Sequence, residues 1–125
     1  MNENEIAKIV FENSLKIHKE LGPGLLESAY EECLYFELQK TGLDVQRQVG
    51  LPLIYGNVKM EIGYRVDLLI EKKVIVELKS VDAINEVHIA QIITYCKLYE
   101  SKLGLLINFN VPLLKNGFRR IANNL

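Results

Sequence analysis

Two strand-like runs, Gly63-Tyr64-Arg65-Val66-Asp67-Leu68-Leu69-Ile70 and Val74-Ile75-Val76-Glu77-Leu78-Lys79, are separated only by Glu71-Lys72-Lys73. Both are rich in the aliphatic and β-branched residues of strands, yet each carries charge in its interior. Side chains alternate along a strand, so Glu77 and Lys79 share one face while Leu78 points to the other. If the three polar residues close a three-residue hairpin loop, Ile70 pairs with Val74 and Asp67 stands opposite Glu77 on the same face. A two-residue loop would shift the register and separate them. In the first register Asp67, Glu77 and Lys79 converge among residues that are nearly all apolar.

Such a cluster has a plain structural explanation, an ion-pair group or a solvated sheet face. Two acids against one base, however, leave a negative surplus, and a buried surplus charge is costly unless a cation or a proton offsets it. A divalent metal would do so. With oxygen ligands alone and no histidine or cysteine among them, a hard ion such as Mg²⁺ or Mn²⁺ is expected rather than zinc. Such an ion suits phosphoryl chemistry, with a lysine alongside to orient the nucleophile or add positive charge.

The rest of the chain supplies the frame. Helical spacing of Ile6, Ile9, Val10, Ile17 and Leu21 predicts a first helix from Asn2 to Leu21, stopped by Gly22-Pro23. A second helical pattern runs from Leu25 to Lys40 and closes at Gly42. Strands are expected over Val45–Tyr55, Val58–Ile70 and Val74–Lys79, an antiparallel meander in which Pro52 makes the first strand an edge strand or bends it. The second and third strands are read as central. Ile84 to Tyr99 is helical again, Leu103 to Phe109 fits a strand buried on both faces, and Phe118 to Ile121 is a last strand or turn. The expected fold is therefore α/β (α+β), in the order ααβββαβ, with a mixed sheet flanked by helices.

At 125 residues the chain suits one domain over residues 1–125. Its 49% hydrophobic and 25% charged residues argue against disorder. The polar start MNENEIAK lacks the features of a signal peptide and no apolar run is long enough for a membrane span, so a cytoplasmic protein without membrane partners is expected. Cys33 and Cys96 lack any paired spacing and are read as buried small hydrophobes. The formal net charge of −1 is modest for a nucleic-acid partner. Its distribution is uneven: residues 1–40 hold eight acids against four bases, whereas residues 97–125 hold five bases against Glu100 alone.

Asp67, nine intervening residues and then Glu77-Leu78-Lys79 resembles the bipartite D…ExK motif of the PD-(D/E)XK nuclease superfamily, with Val66 where the superfamily pattern has proline. A second segment, Gly24-Leu25-Leu26-Glu27-Ser28-Ala29-Tyr30, resembles the signature of the small bacterial and archaeal GxxExxY proteins. Together the resemblances run from the first helix to Gln91. They imply a restriction-endonuclease-like core in which Asp67, Glu77 and the Leu78 carbonyl hold metal and Lys79 is catalytic. In the superfamily an acid from a helix before the sheet often joins the metal site, a role that Glu27 fits. By spacing alone Glu27 is equally an exposed glutamate beside a core tyrosine, three residues from Tyr30 on one helix face. Gln91 and Tyr95 resemble the QxxxY element of some superfamily branches, in which the glutamine faces the active site. His88 shares their helix stripe and reads as structural.

These implications add up to a Mg²⁺- or Mn²⁺-dependent nuclease acting on nucleic acid, DNA in preference to RNA, with Asp67, Glu77, Lys79, Glu27 and Gln91 at its site. So small a domain has little surface for reading bases, and structure-specific binding or a homodimer meets that shortage more easily. The rival readings are a catalytically silent module that binds nucleic acid or protein, and a structural subunit of a larger assembly.

Overall fold

The structure, a computed structural model, describes all residues from Met1 to Leu125. Helix α1 (Glu3–Leu21) opens on a capping box, in which the Asn2 side chain accepts from the Glu5 N–H and the Glu5 carboxylate accepts from the Asn2 N–H. It ends at Gly22, whose φ of 68° is one that glycine adopts without steric cost. Helix α2 (Glu27–Gln39) starts later than its apolar spacing predicts, because Leu25 and Leu26 belong to the connection. Tyr30 ties that connection down: its hydroxyl donates to the Gly22 carbonyl at 2.6 Å and accepts from the Leu25 N–H at 3.2 Å. Its ring is fully buried and stacks on Phe109 at 4.3 Å, the packing role expected of it.

Strands β1 (Val45–Tyr55), β2 (Val58–Ile70) and β3 (Val74–Lys79) have the bounds expected. Helix α3 (Glu86–Tyr99) begins after the N-cap Asn85, and β4 (Leu103–Asn108) ends one residue before Phe109. The final segment, open between strand and turn in the sequence, is strand β5 (Phe118–Ala122), reached through a 3₁₀ turn at Leu114–Asn116. The five strands form one sheet in the order β1-β2-β3-β4-β5. Only β3 and β4 are parallel, and α3 makes the crossover between them.

Alternation along β3 separates two apolar clusters. Val74, Val76 and Leu78 pack with Ile6, Val10, Tyr30, Leu34 and Leu38 of α1 and α2, whereas Ile75 packs with Ile92, Tyr95 and Cys96 of α3. β4 is buried at every position because both of its faces are covered. Burying a Leu or Ile side chain is worth about 1.5–3 kcal/mol, so these two faces supply most of what holds the fold.

Two features of β1 and β2 govern the site. Pro52 lies on an edge strand and at a bend, as its missing N–H requires: between the pairs Leu51–Tyr64 and Leu53–Met60 it stands alone against Glu61, Ile62 and Gly63. The second is the extent of pairing. β2 is interior only at its C-terminal end, since its ladder with β3 is confined to Leu68–Val76, Leu69–Ile75 and Ile70–Val74. From Val58 to Val66 it pairs with β1 alone, and the two form a ribbon that leaves the sheet.

Candidate active site

The loop between β2 and β3 is the three-residue one. Ile70 pairs with Val74, Glu71 and Lys72 take left-handed φ values of 53°, and the register carries Asp67 to the position opposite Glu77. The site therefore sits where β2 parts from β3.

Both strands of the β1–β2 pair change face at this point. Val45 belongs to the cluster under α1 and α2 and Arg47 reaches Glu31 of α2, but Val49 and Leu51 belong to the α3 side. On β2, likewise, Leu68 and Ile70 face α1 and α2 while Val66 faces α3. The reversal falls on Gln48 and Asp67, which stand opposite each other in the register. Gln48 has a φ of 50°, a left-handed conformation that costs a non-glycine residue about 1–2 kcal/mol. The Asp67 side chain consequently turns toward β3, and its Oδ2 accepts the Leu78 N–H at 2.8 Å. A side chain thus occupies a ladder position, and regular pairing stops at Leu68–Val76.

Glu77 points to the α3 side and is only 5% exposed. Burial, together with the hydrogen bond and charge of Asp67, pushes its carboxyl from the ordinary 4.5 up to about 10. Lys79 acts in the opposite direction, but it forms no ion pair with either acid; the chain's ion pairs are those of Lys16 and Lys40 with Glu37 and of Arg47 with Glu31 and Glu32. Asp67, Glu77 and Lys79 are thereby brought together with no ion pair among them.

Glu27 takes a different position. It lines an open pocket of about 560 Å³ with Asp67, Gln48, Glu31 and Ser80, and its Oε2 accepts the Ser80 N–H at 3.1 Å. Ser80 in turn donates through Oγ to the Leu25 carbonyl, joining the end of β3 to the segment before α2. Glu27, Asp67 and Glu77 do not close into a three-carboxylate group. On α3, Gln91 donates to the Tyr95 hydroxyl at 3.0 Å, and burial followed by the charge of Glu77 pushes the Tyr95 phenol up. These two therefore stand on the Glu77 side of the sheet. His88 completes the capping box of α3, its Nδ1 accepting from the Asn85 N–H at 3.1 Å, which is the structural part expected of it.

Sequence reasoning missed Gln48 and Glu31. The Gln48 amide donates to Glu31 Oε1 at 2.8 Å and to Asp67 Oδ1 at 3.3 Å, while Arg47 donates to Glu31 Oε2 at 2.9 Å. A buried glutamate of α2 is thereby linked through one amide to the Asp67 carboxylate. The available signal was positional: Glu31 lies four residues after Glu27 on the same helix face, and Gln48 stands opposite Asp67 once β1 and β2 are put in register.

The model of the PD-(D/E)XK nuclease superfamily matches residues 4–121. The chain belongs to that superfamily. Its five-stranded mixed sheet and three helices are consistent with the restriction-endonuclease-like fold. Nucleases of the PD-(D/E)XK superfamily act on nucleic acid and generally use divalent metal ions. Comparison with curated proteins and with solved structures gave no match. No helix is long and apolar enough to cross a membrane.

Proposed function

We propose that this chain is a divalent-metal-dependent nuclease that hydrolyses phosphodiester bonds, with DNA as its preferred substrate and Mg²⁺ or Mn²⁺ as its ion. The observation that carries the reading is the meeting of Asp67 with the buried Glu77 where β2 leaves β3, with Lys79 close by and no ion pair formed. A carboxyl buried beside a second, half-buried carboxylate is costly to ionise, and a fold retains it at least cost where a divalent ion completes the pair. The donor set fits a hard ion: the Asp67 and Glu77 carboxylates and the backbone carbonyl of Leu78, with Glu27 set apart from them across the pocket that Asp67 lines.

When bound there, such an ion lowers the pKa of a water and offsets charge on a phosphodiester. The chain's own residues prepare the place. The Leu78 N–H and the Gln48 amide fix the Asp67 carboxylate, leaving it no freedom to swing away. Burial and Asp67, which raise the Glu77 carboxyl to about 10, keep its proton on at neutral pH, and Glu77 would release that proton to solvent on taking part in holding a cation. Lys79 projects on the Glu77 side of β3, where its ammonium orients a nucleophile or meets a phosphate oxygen. Gln91 is assigned the part of donating to the substrate, supported by its exposure and by its hydrogen bond to the Tyr95 hydroxyl. We also assign the chain to the GxxExxY proteins, supported by the way Tyr30 and Glu27 of that signature act here. Tyr30 ties down the connection before α2, and Glu27 ties the end of β3 to it.

The reading is tested with labelled single-stranded, duplex and branched DNA and the matching RNAs, each incubated with the protein in Mg²⁺, in Mn²⁺ and in EDTA. Cleavage that appears with metal, disappears in EDTA and is strongest on DNA is the expected result. Binding of the same substrates without cleavage under every condition would transfer the assignment to a silent binding module.

A further inference from the structure

The β1–β2 ribbon beyond the site is unfinished as a piece of sheet. An isolated two-stranded ribbon is marginal in water, and strands become stable when further strands or a packed layer join them. Between Val58 and Val66, β2 has β1 on one side and no strand on the other. The ribbon is also where exposed apolar side chains gather: Tyr55 is 74% exposed, Val58 54% and Ile62 51%. Leu53 pairs with Met60 and Tyr55 with Val58, so these four share one face, and alternation adds Ile62 to it.

The free edge has a sequence that complements itself. Reading Val58-Lys59-Met60-Glu61-Ile62 against a second, antiparallel copy about Met60 sets Val58 opposite Ile62 and Lys59 opposite Glu61, twice each by symmetry. The backbone agrees with that register. Gly56-Asn57 is a two-residue turn, so Tyr55 and Val58 exchange hydrogen bonds within the ribbon and, by alternation, so do Leu53 and Met60. Lys59 therefore presents its N–H and C=O groups outward, and Glu61, the first residue of the bulge opposite Pro52, continues the same edge; they are the residues that would exchange hydrogen bonds across the two-fold axis.

We propose that this chain forms a homodimer by antiparallel pairing of β2 with β2 of a second copy, centred on Met60. The result is a four-stranded ribbon with a continuous apolar face and Lys59–Glu61 pairs on the other. This inference stands apart from the nuclease reading, because none of its residues lies in the pocket.

Sedimentation over a concentration series tests it with charge variants. Wild type is expected to dimerise. Lys59→Glu and Glu61→Lys each place like charges opposite one another twice, and each should weaken the dimer about tenfold or more. The double variant, with both charges exchanged, restores the pairs and should dimerise like wild type. A wild type that stays monomeric at the highest concentrations would overturn the proposal. So would a dimer equally tight in all four proteins. Circular dichroism of each variant confirms that the fold is intact, and the double variant shows that any loss comes from charge and not from a damaged ribbon.

Discussion

Alanine in place of Lys79 is expected to lower metal-dependent cleavage by about 10²- to 10³-fold, the scale for removing one charge stabiliser from a reaction centre. The fold should survive. Lys79 forms no ion pair, its carbonyl still accepts the Phe109 N–H at 3.0 Å, and the parallel pairing with Asn108 is a backbone matter. The variant should also still bind the metal, because Asp67, Glu77 and the Leu78 carbonyl are untouched. Single-turnover cleavage and a melting curve with and without Mn²⁺ distinguish this from a structural lysine. If the ammonium merely balanced buried acids, its loss would lower the melting temperature and leave the remaining activity per folded molecule unchanged.

Glutamine in place of Glu77 should have the opposite effect on stability. A carboxyl raised from 4.5 to about 10 in the folded chain binds its proton more tightly folded than unfolded. Its favourable contribution is complete below the unfolded value and is lost as pH rises through the folded one. Metal-free wild type therefore loses stability across that window. The neutral amide of the Glu77→Gln variant resembles the protonated acid and carries no such penalty. In EDTA the variant should therefore gain on wild type by up to about 1.4 kcal/mol per pH unit, an upper limit. Unfolding by urea at several pH values between 5 and 9 measures the difference. Parallel pH dependences for the two proteins, or a variant less stable throughout, would place Glu77 in a structural ion pair. The same substitution should sharply reduce cleavage, which makes it a gain in stability at the expense of function.

Much of this arrangement is legible in the residues because it is local. The three-residue loop sets the register of β2 and β3, and alternation then puts Glu77 and Lys79 on one face and Leu78 on the other. What the residues do not disclose is long-range. The polar–apolar alternation of Val58–Asp67 gives way to the continuous apolar run Leu68-Leu69-Ile70, which is the part of β2 that pairs with β3, but nothing in that change tells that pairing stops because the Asp67 side chain accepts the Leu78 N–H. Nor does any pattern in β1 mark Gln48 as left-handed. That conformation follows from a face reversal shared by two strands and from Glu31 reaching across from α2. β5 is ambiguous in the sequence because Phe118-Arg119-Arg120-Ile121-Ala122 is short and charged at its centre, and only its pairing with β4 makes it a strand. Apolar spacing starts α2 too early because leucines at 25 and 26 continue the pattern, while the Tyr30 hydroxyl holds the chain ahead of the helix.

The metal site at Asp67 and Glu77 is most directly tested by calorimetric titration of Mn²⁺ into wild type and Asp67→Asn at pH 7, each in two buffers of different ionisation enthalpy. Wild type should bind saturably with release of about one proton, since metal displaces the proton that Glu77 holds. Binding should be weaker by about tenfold or more in the variant. Binding that is absent at millimolar Mn²⁺, or equal in the two proteins and without proton release, would rule out a metal site at Asp67 and Glu77.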